Sequence, residues 1–171
     1  MIPQKFKCFV KGENLNTAKT FDMNDVNIDP IGSVPHFDIA LQYMGFQDAN
    51  KQEVYAGDIL SLTITPELMD IHQNLFVNSN LGKYIKENPE ITDVYLVITP
   101  PDSNSLFSYQ LYMLRNHKID RYDTLNPNDE DYNKPCPHCT GEDSLFPQYL
   151  SAKGAHIIAN LYEKPDFLNK L

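Results

Sequence analysis

Polar and apolar positions alternate most cleanly from Ile59 to Thr65, where Leu60, Leu62 and Ile64 share one face and Ser61, Thr63 and Thr65 the other. A period of two predicts a half-buried strand. Lys5 to Val10 has the same rhythm, with Lys5 and Lys7 outward and Phe6, Cys8 and Val10 inward. Leu41 to Phe46 is a short apolar run broken by Gln42, and Glu53-Val54-Tyr55 favours extended backbone. Val94 to Ile98 is continuously apolar and reads as a buried strand. Leu106 to Leu114 predicts a longer one, with Phe107, Tyr109, Leu111 and Met113 on one face. Ala155 to Leu161 predicts the last strand, and Met23 to Ile28 a short one.

The punctuation between these runs is chemical. Asp48-Ala49-Asn50-Lys51 supplies turn residues, because Asp and Asn side chains bond nearby backbone. Ala56-Gly57-Asp58 predicts a second turn, with Gly57 carrying a positive φ. Gly12 to Asn16 and Asp29 to Gly32 read as loops, and Pro100 to Ser105 as a hairpin-like link. Pro66 and Glu67 predict a helix start, followed by Leu68, Ile71 and Leu75 at near-helical spacing. Asn80 caps a short helix over Leu81 to Glu87, stopped by Asn88-Pro89. Pro165 opens a C-terminal helical turn holding Phe167, Leu168 and Leu171.

Strand, tight turn, short strand, Gly turn and long strand is how a small, strongly bent barrel begins. The expected fold class is mainly β with an α+β insertion. Its core is built from both chain ends, residues 1–65 and 151–171, around an inserted helix and strand region at 66–150. Within the insert, Asp120 to Leu150 is charged and Pro-rich, and is expected to be a long acidic surface loop. At 171 residues with 42% apolar or aromatic side chains, the chain is long enough to bury a real core. No apolar run approaches a membrane span, and MIPQKFKCFV lacks the pattern of a signal peptide. The expectation is a soluble, cytoplasmic protein without a membrane partner. Three cysteines and no secretion signal argue against a disulfide framework.

Two segments carry a more specific pattern. Gln42, Tyr43, Gly45, Phe46, Asp48, Asn50, Glu53, Val54, Tyr55, Gly57, Asp58 and Ile59 form one, and Asn160, Tyr162, Glu163, Pro165, Phe167 and Leu168 the other. Together they resemble the YopX-like proteins of phages, prophages and mobile elements. That family has a Gln-Tyr-x-Gly start, a Glu-hydrophobic-Tyr-x-Gly-Asp end, and a closing Asn-x-Tyr-Glu-x-Pro. Its members also commonly open with a Lys-Phe-Arg-hydrophobic strand, and KFKC here is similar. The resemblance implies an SH3-like barrel core and a phage or prophage origin in a bacterial host. It implies no activity, the family having no established one.

Asp48, Glu53 and Asp58 are three carboxylates close in sequence, but an acid–base pair needs one pKa raised by burial. Carboxylates in turns and at edges are usually solvated, so a structural role is expected and no catalytic residue is assigned. Asp58 is expected to bond backbone amides at its turn. Cys136-Pro137-His138-Cys139 is the sharpest chemical motif. Its C-x-x-C presents two thiolates to one zinc ion, with Cys136, Cys139 and His138 as a zinc half-site, since four ligands are wanted and no second C-x-x-C exists. A redox pair is the second reading, and two reduced, inert thiols in a loop the plainest. The five histidines show no H-x-x-x-H spacing, and no Gly-rich phosphate loop or nucleophile elbow occurs.

The net charge is −9, from 23 acidic and 14 basic residues, with two arginines, Arg115 and Arg121. Phosphate backbones are held by Lys and Arg that displace counterions, so direct nucleic-acid binding is disfavoured. Tyr43, Phe46, Tyr55, Tyr109 and Tyr112 could stack on bases, but without basic neighbours such aromatics read as packing. The leading expectation is a non-enzymatic interaction module that pairs strand edges to form a homo-oligomer or grip a protein partner. The alternative is an acidic inhibitor of a host nucleic-acid-handling enzyme, with Asp129-Glu130-Asp131 mimicking phosphates. A metal enzyme built on the C-x-x-C is the third.

Overall fold

The computed structural model describes residues 5–9, 19–22, 39–70, 75–78, 80–99, 108–121 and 146–170. Among the described residues nine strands, all paired antiparallel, form two open sheets, so the fold is mainly β. The first sheet holds β1 (Lys5–Phe9), β2 (Lys19–Asp22), β3 (Ile39–Gln47) and β4 (Glu53–Tyr55) in the order β2-β1-β3-β4. The second holds β5 (Asp58–Thr63), β6 (Ile91–Thr99), β7 (Ser108–Arg115), β8 (Lys118–Arg121) and β9 (His156–Asn160) in the order β8-β7-β6-β5-β9. Among the described residues no strand ladder joins the two sheets. The region from 66 to 150 supplies β6, β7 and β8, which continue the same sheet as β5 and β9.

β3 bends where its pairing with β4 slips, between the registers Tyr43↔Tyr55 and Gln47↔Glu53. Gly45, at φ 83°, sits in that slip, and an added Cβ would meet nothing within 4 Å. The glycine is therefore needed for backbone conformation and not for space. Met44 and Phe46 on either side of the bend, with Val54 of β4, lie in the main core. There they meet one face of the second sheet, through Leu60, Leu62, Val94, Leu96 and Leu111. Each aliphatic side chain fully buried this way contributes about 1.5–3 kcal/mol.

Among the described residues three short α-helices close that core. α1 (Leu75–Asn78) buries Phe76 and Val77. α2 (Asn80–Glu87) buries Leu81 and Ile85, four residues apart, and exposes Lys83, Lys86 and Glu87. Asn88 ends it by donating from its side chain to the Tyr84 carbonyl (2.7 Å). α3 (Phe146–Ala152) buries Leu150 and turns Tyr149 so that its hydroxyl accepts the Phe76 N–H (2.8 Å).

The second sheet is buried on its other face as well. Ile59, Tyr95, Val97 and Ala159 form that cluster, with Tyr112, Leu114 and Ile119 packed at its margin. This is why Val94 to Ile98 is apolar at every position: successive residues feed opposite clusters.

Several expectations need correction. Pro66 to Met69 forms turns, and the first described helix begins at Leu75. The expected loop from Asp120 to Leu150 is structured at both ends, with β8 running through Arg121 and α3 starting at Phe146. β2 and β8 were not anticipated. Met23 to Ile28, Gly12 to Asn16, Pro100 to Ser105 and Phe107 lie outside the described residues.

Candidate functional site

Residues of the two patterned segments meet at the turn between β4 and β5. Tyr55 closes the short strand, Gly57 turns the chain at φ 90°, and Asp58 starts β5 with its carboxylate folded back beneath the turn. Asp58 Oδ2 accepts the Tyr55 N–H (2.7 Å), as expected of a turn aspartate. Its Oδ1 accepts the side-chain amide of Asn160 (2.8 Å), 102 residues away and opposite Asp58 in the β5–β9 register. Asn160 Oδ1 in turn accepts the Tyr162 N–H (2.9 Å). The Gly57 N–H donates to the Ile98 carbonyl (2.7 Å), and the Gly57 carbonyl accepts the Leu161 N–H (2.8 Å). One acid thus fixes a turn, a strand end and the exit of the C-terminal segment.

Tyr162 explains the glycine. A Cβ on Gly57 would lie 2.7 Å from Tyr162 Cδ2 and 3.2 Å from Asn160 Nδ2. The ring occupies that space from outside and is 48% exposed.

Asp48 performs the same work one turn earlier. Its Oδ1 accepts the N–H groups of Asn50 and Gln52 (2.8 Å each), closing the β3–β4 turn around Lys51 at φ 63°. Its Oδ2 accepts the Ile157 N–H (2.9 Å), and the Ala49 N–H donates to the Ala155 carbonyl (2.9 Å). The turn is thereby tied to the outer edge of β9. It links the two sheets by hydrogen bonds that are not part of a ladder.

Both aspartates are buried, Asp48 at 5% exposure and Asp58 at 7%, which corrects the expectation of solvated carboxylates. The reason is that their backbone partners lie inside, where an unmet N–H is expensive. Burial pushes the Asp58 carboxyl above its ordinary pKa. The hydrogen bonds from Asn160 and the Tyr55 amide, and the charge of Lys7, oppose that shift, while Asp48 adds to it.

A charged patch lies beside this junction. Lys5 of β1 pairs with Glu53 of β4, and the Tyr55 hydroxyl donates to the other Glu53 oxygen (2.8 Å). The hydrogen bond from Lys5 is the main reason the Glu53 pKa falls below its usual value. Lys5 Nζ lies 5.7 Å from the Tyr43 ring centre and Lys7 Nζ 5.3 Å from that of Tyr55, while the two rings sit 5.6 Å apart. The tyrosines therefore do have basic neighbours. Alternation in Lys5 to Val10 put both lysines on one face, but nothing in the chain announced that β1 would pair beside β3. Tyr55 is nonetheless buried, with its ring packed against Leu41.

The remaining motif positions are scaffolding neighbours of the junction. The Gln42 carbonyl accepts the Ala56 N–H (2.9 Å), and the Glu163 N–H donates to the Asn160 carbonyl (3.1 Å) while its side chain is exposed. Cys136, His138 and Cys139 lie outside the described residues, as does Asp129-Glu130-Asp131. Among the described residues no three His, Cys, Asp or Glu side chains gather as a metal would need, and no helix is long and apolar enough to cross a membrane. In comparisons with protein-family models, curated proteins and solved structures, no match to the chain was found.

Chemically, the junction can hold backbone in place. The Asp48 and Asp58 carboxylates are each directed at N–H donors, and the bonds they make join segments more than 100 residues apart.

Proposed function

We propose that this chain is a non-enzymatic protein-interaction module of phage or prophage type, working in the cytoplasm of a bacterial host and assembling with copies of itself. The observation that carries this reading is the use of the motif. Its acids at Asp48 and Asp58 are taken up by amides of the β3–β4 turn, the β4–β5 turn and β9, so what the motif maintains is a shape. A shape maintained at this cost suits a surface that others recognise.

The reading includes an SH3-like barrel core from residues 1–65 and 151–171, with 66–150 as the variable insert. The bent β3, the three-residue β4, the glycine turn and the Asp48 link from the first sheet to β9 support it. Among the described residues the sheets end at β2, β4, β8 and β9, the last partly taken up by the β3–β4 turn, and edge pairing is a ready route to self-assembly.

Light scattering on the purified chain at micromolar concentration tests the proposal. A mass that is a multiple of 19.6 kDa is expected, and a monomer would count against self-assembly. Affinity capture from a bacterial lysate, with and without nuclease, extends the test. A host nucleic-acid enzyme that survives nuclease treatment would put the acidic-inhibitor reading first.

A further inference from the structure

The C-terminal segment is fastened in two different ways along its length. Its root, Leu161 to Lys164, is well bonded. The Leu161 N–H donates to Gly57, the Tyr162 N–H to Asn160 Oδ1, and the Glu163 and Lys164 N–H groups to the Asn160 carbonyl (3.1 and 2.8 Å). Beyond Lys164 the pattern changes. The Phe167 N–H donates to Lys164, the Asn169 N–H to Asp166 and the Lys170 N–H to Phe167, so these bonds run along the segment itself. Pro165 has no N–H to offer, and Lys164, Pro165 and Asp166 are exposed.

Phe167 and Leu168 return to the body, where they pack on the cluster of Ile59, Tyr95, Val97 and Ala159. Neither is buried outright, and the 3-10 turn Leu168–Lys170 buries no residue. What they lie over is more deeply enclosed, with Ile59 at 0% and Val97 at 1% exposure.

We infer that Pro165 to Lys170 is a strap that opens as a unit about Lys164–Pro165 and uncovers the second apolar face of the five-stranded sheet, while the sheets and the Asp58–Asn160 junction stay intact. The hydrogen bonds described for the strap's N–H groups all run to Lys164, Asp166 and Phe167, so opening costs the contacts of half-buried Phe167 and Leu168 and the exposure of the apolar surface beneath them. Low-stability elements with few buried contacts open locally, well before the global transition. By contrast, β5 and β6 cannot separate without exposing both clusters. The strap therefore gives the fold a cover over apolar surface that is controlled by a short, separately opening element. The inference does not depend on the self-assembly reading, and the two fail separately: one is read in mass, the other in amide exchange.

Hydrogen exchange on the full chain, followed by mass spectrometry in low denaturant, is the test. Amides of 166–170 are expected to exchange at least ~100-fold faster than those of β6, with little dependence on denaturant, as local openings do. Replacing Phe167→Ala together with Leu168→Ala is expected to raise binding of an apolar dye while β6 protection stays unchanged. Equal protection and equal denaturant dependence in strap and β6 would overturn the inference. So would loss of β6 protection in the double variant, because the segment would then be part of the core.

Discussion

The turns around β4 and the meander of β6, β7 and β8 are both antiparallel sheet, yet they are held in opposite ways. Around β4, itself only three residues long, the register with β3 slips, and side-chain carboxylates bond the backbone N–H groups of the turns. In the meander, eight residue pairs join β6 to β7, and alternate side chains are buried on both faces. The first region depends on particular polar atoms, the second on apolar volume. A change of residue should therefore be felt through different physics in each.

The largest effect should come from volume. Leu96→Ala removes a fully buried side chain from the centre of β6, and a cost of about 2–5 kcal/mol is expected in denaturant unfolding. A loss well under 1 kcal/mol would mean the meander is not the packed half. Asp58→Ala comes next, at roughly 2–4 kcal/mol, because it strands the Tyr55 N–H and the Asn160 amide. Its signature should be loss of amide protection at Tyr55 and Tyr162 out of proportion to β6. A uniform loss would erase the distinction between the regions.

Gly57→Ala should cost about 1–3 kcal/mol, combining a positive φ with the approach of Tyr162. In a double-mutant cycle Tyr162→Ala should recover the steric part and leave the backbone part. Full additivity would show that the ring does not sit where the Cβ must go.

The pH dependence sharpens the contrast further. The folded Asp58 pKa is raised above 3.8, so its contribution to stability is present below that value and lost as pH climbs through the folded pKa. The Glu53 pKa is lowered from 4.5, so its contribution is present above that value and lost as pH falls through the folded one. Comparing Asp58→Asn with the parent across the acid range should isolate the first slope. The same slope in both proteins would remove Asp58 as its source.

The smallest effect belongs to the meander's own turn. Asn116 and His117 both hold positive φ, 50° and 61°, between Arg115 and Lys118. Two such residues are what a type I′ hairpin needs. His117→Gly should stabilise by about 0.5–1 kcal/mol in thermal unfolding, by relieving a left-handed non-glycine residue.

That hairpin also shows why β8 was not legible. An Asn-Gly pair would have announced it, whereas Asn-His leaves the same backbone unmarked in the chain. α3 was hidden in a different way, since Phe146-Pro147-Gln148 follows a Pro-rich, charged stretch whose composition outweighed its apolar spacing. The patterned elements were readable: β1, β3, β4, β5, α2, β6, β7 and β9 each fall where alternation, caps or apolar runs put them. Asp58 as an amide acceptor and Gly57 at positive φ were readable too, because turn chemistry acts within a few residues.

Local periodicity and turn chemistry were thus determined by the amino-acid sequence itself, since both act between residues a few places apart. Partnership was decided in three dimensions. That Asp58 would meet Asn160, that Asp48 would reach Ile157, and that Lys5 and Lys7 would lie over Tyr43 and Tyr55 depend on which strands become neighbours. The burial of both aspartates follows from the same cause. A turn carboxylate is solvated until another segment closes over it, and only the packed sheets bring that segment.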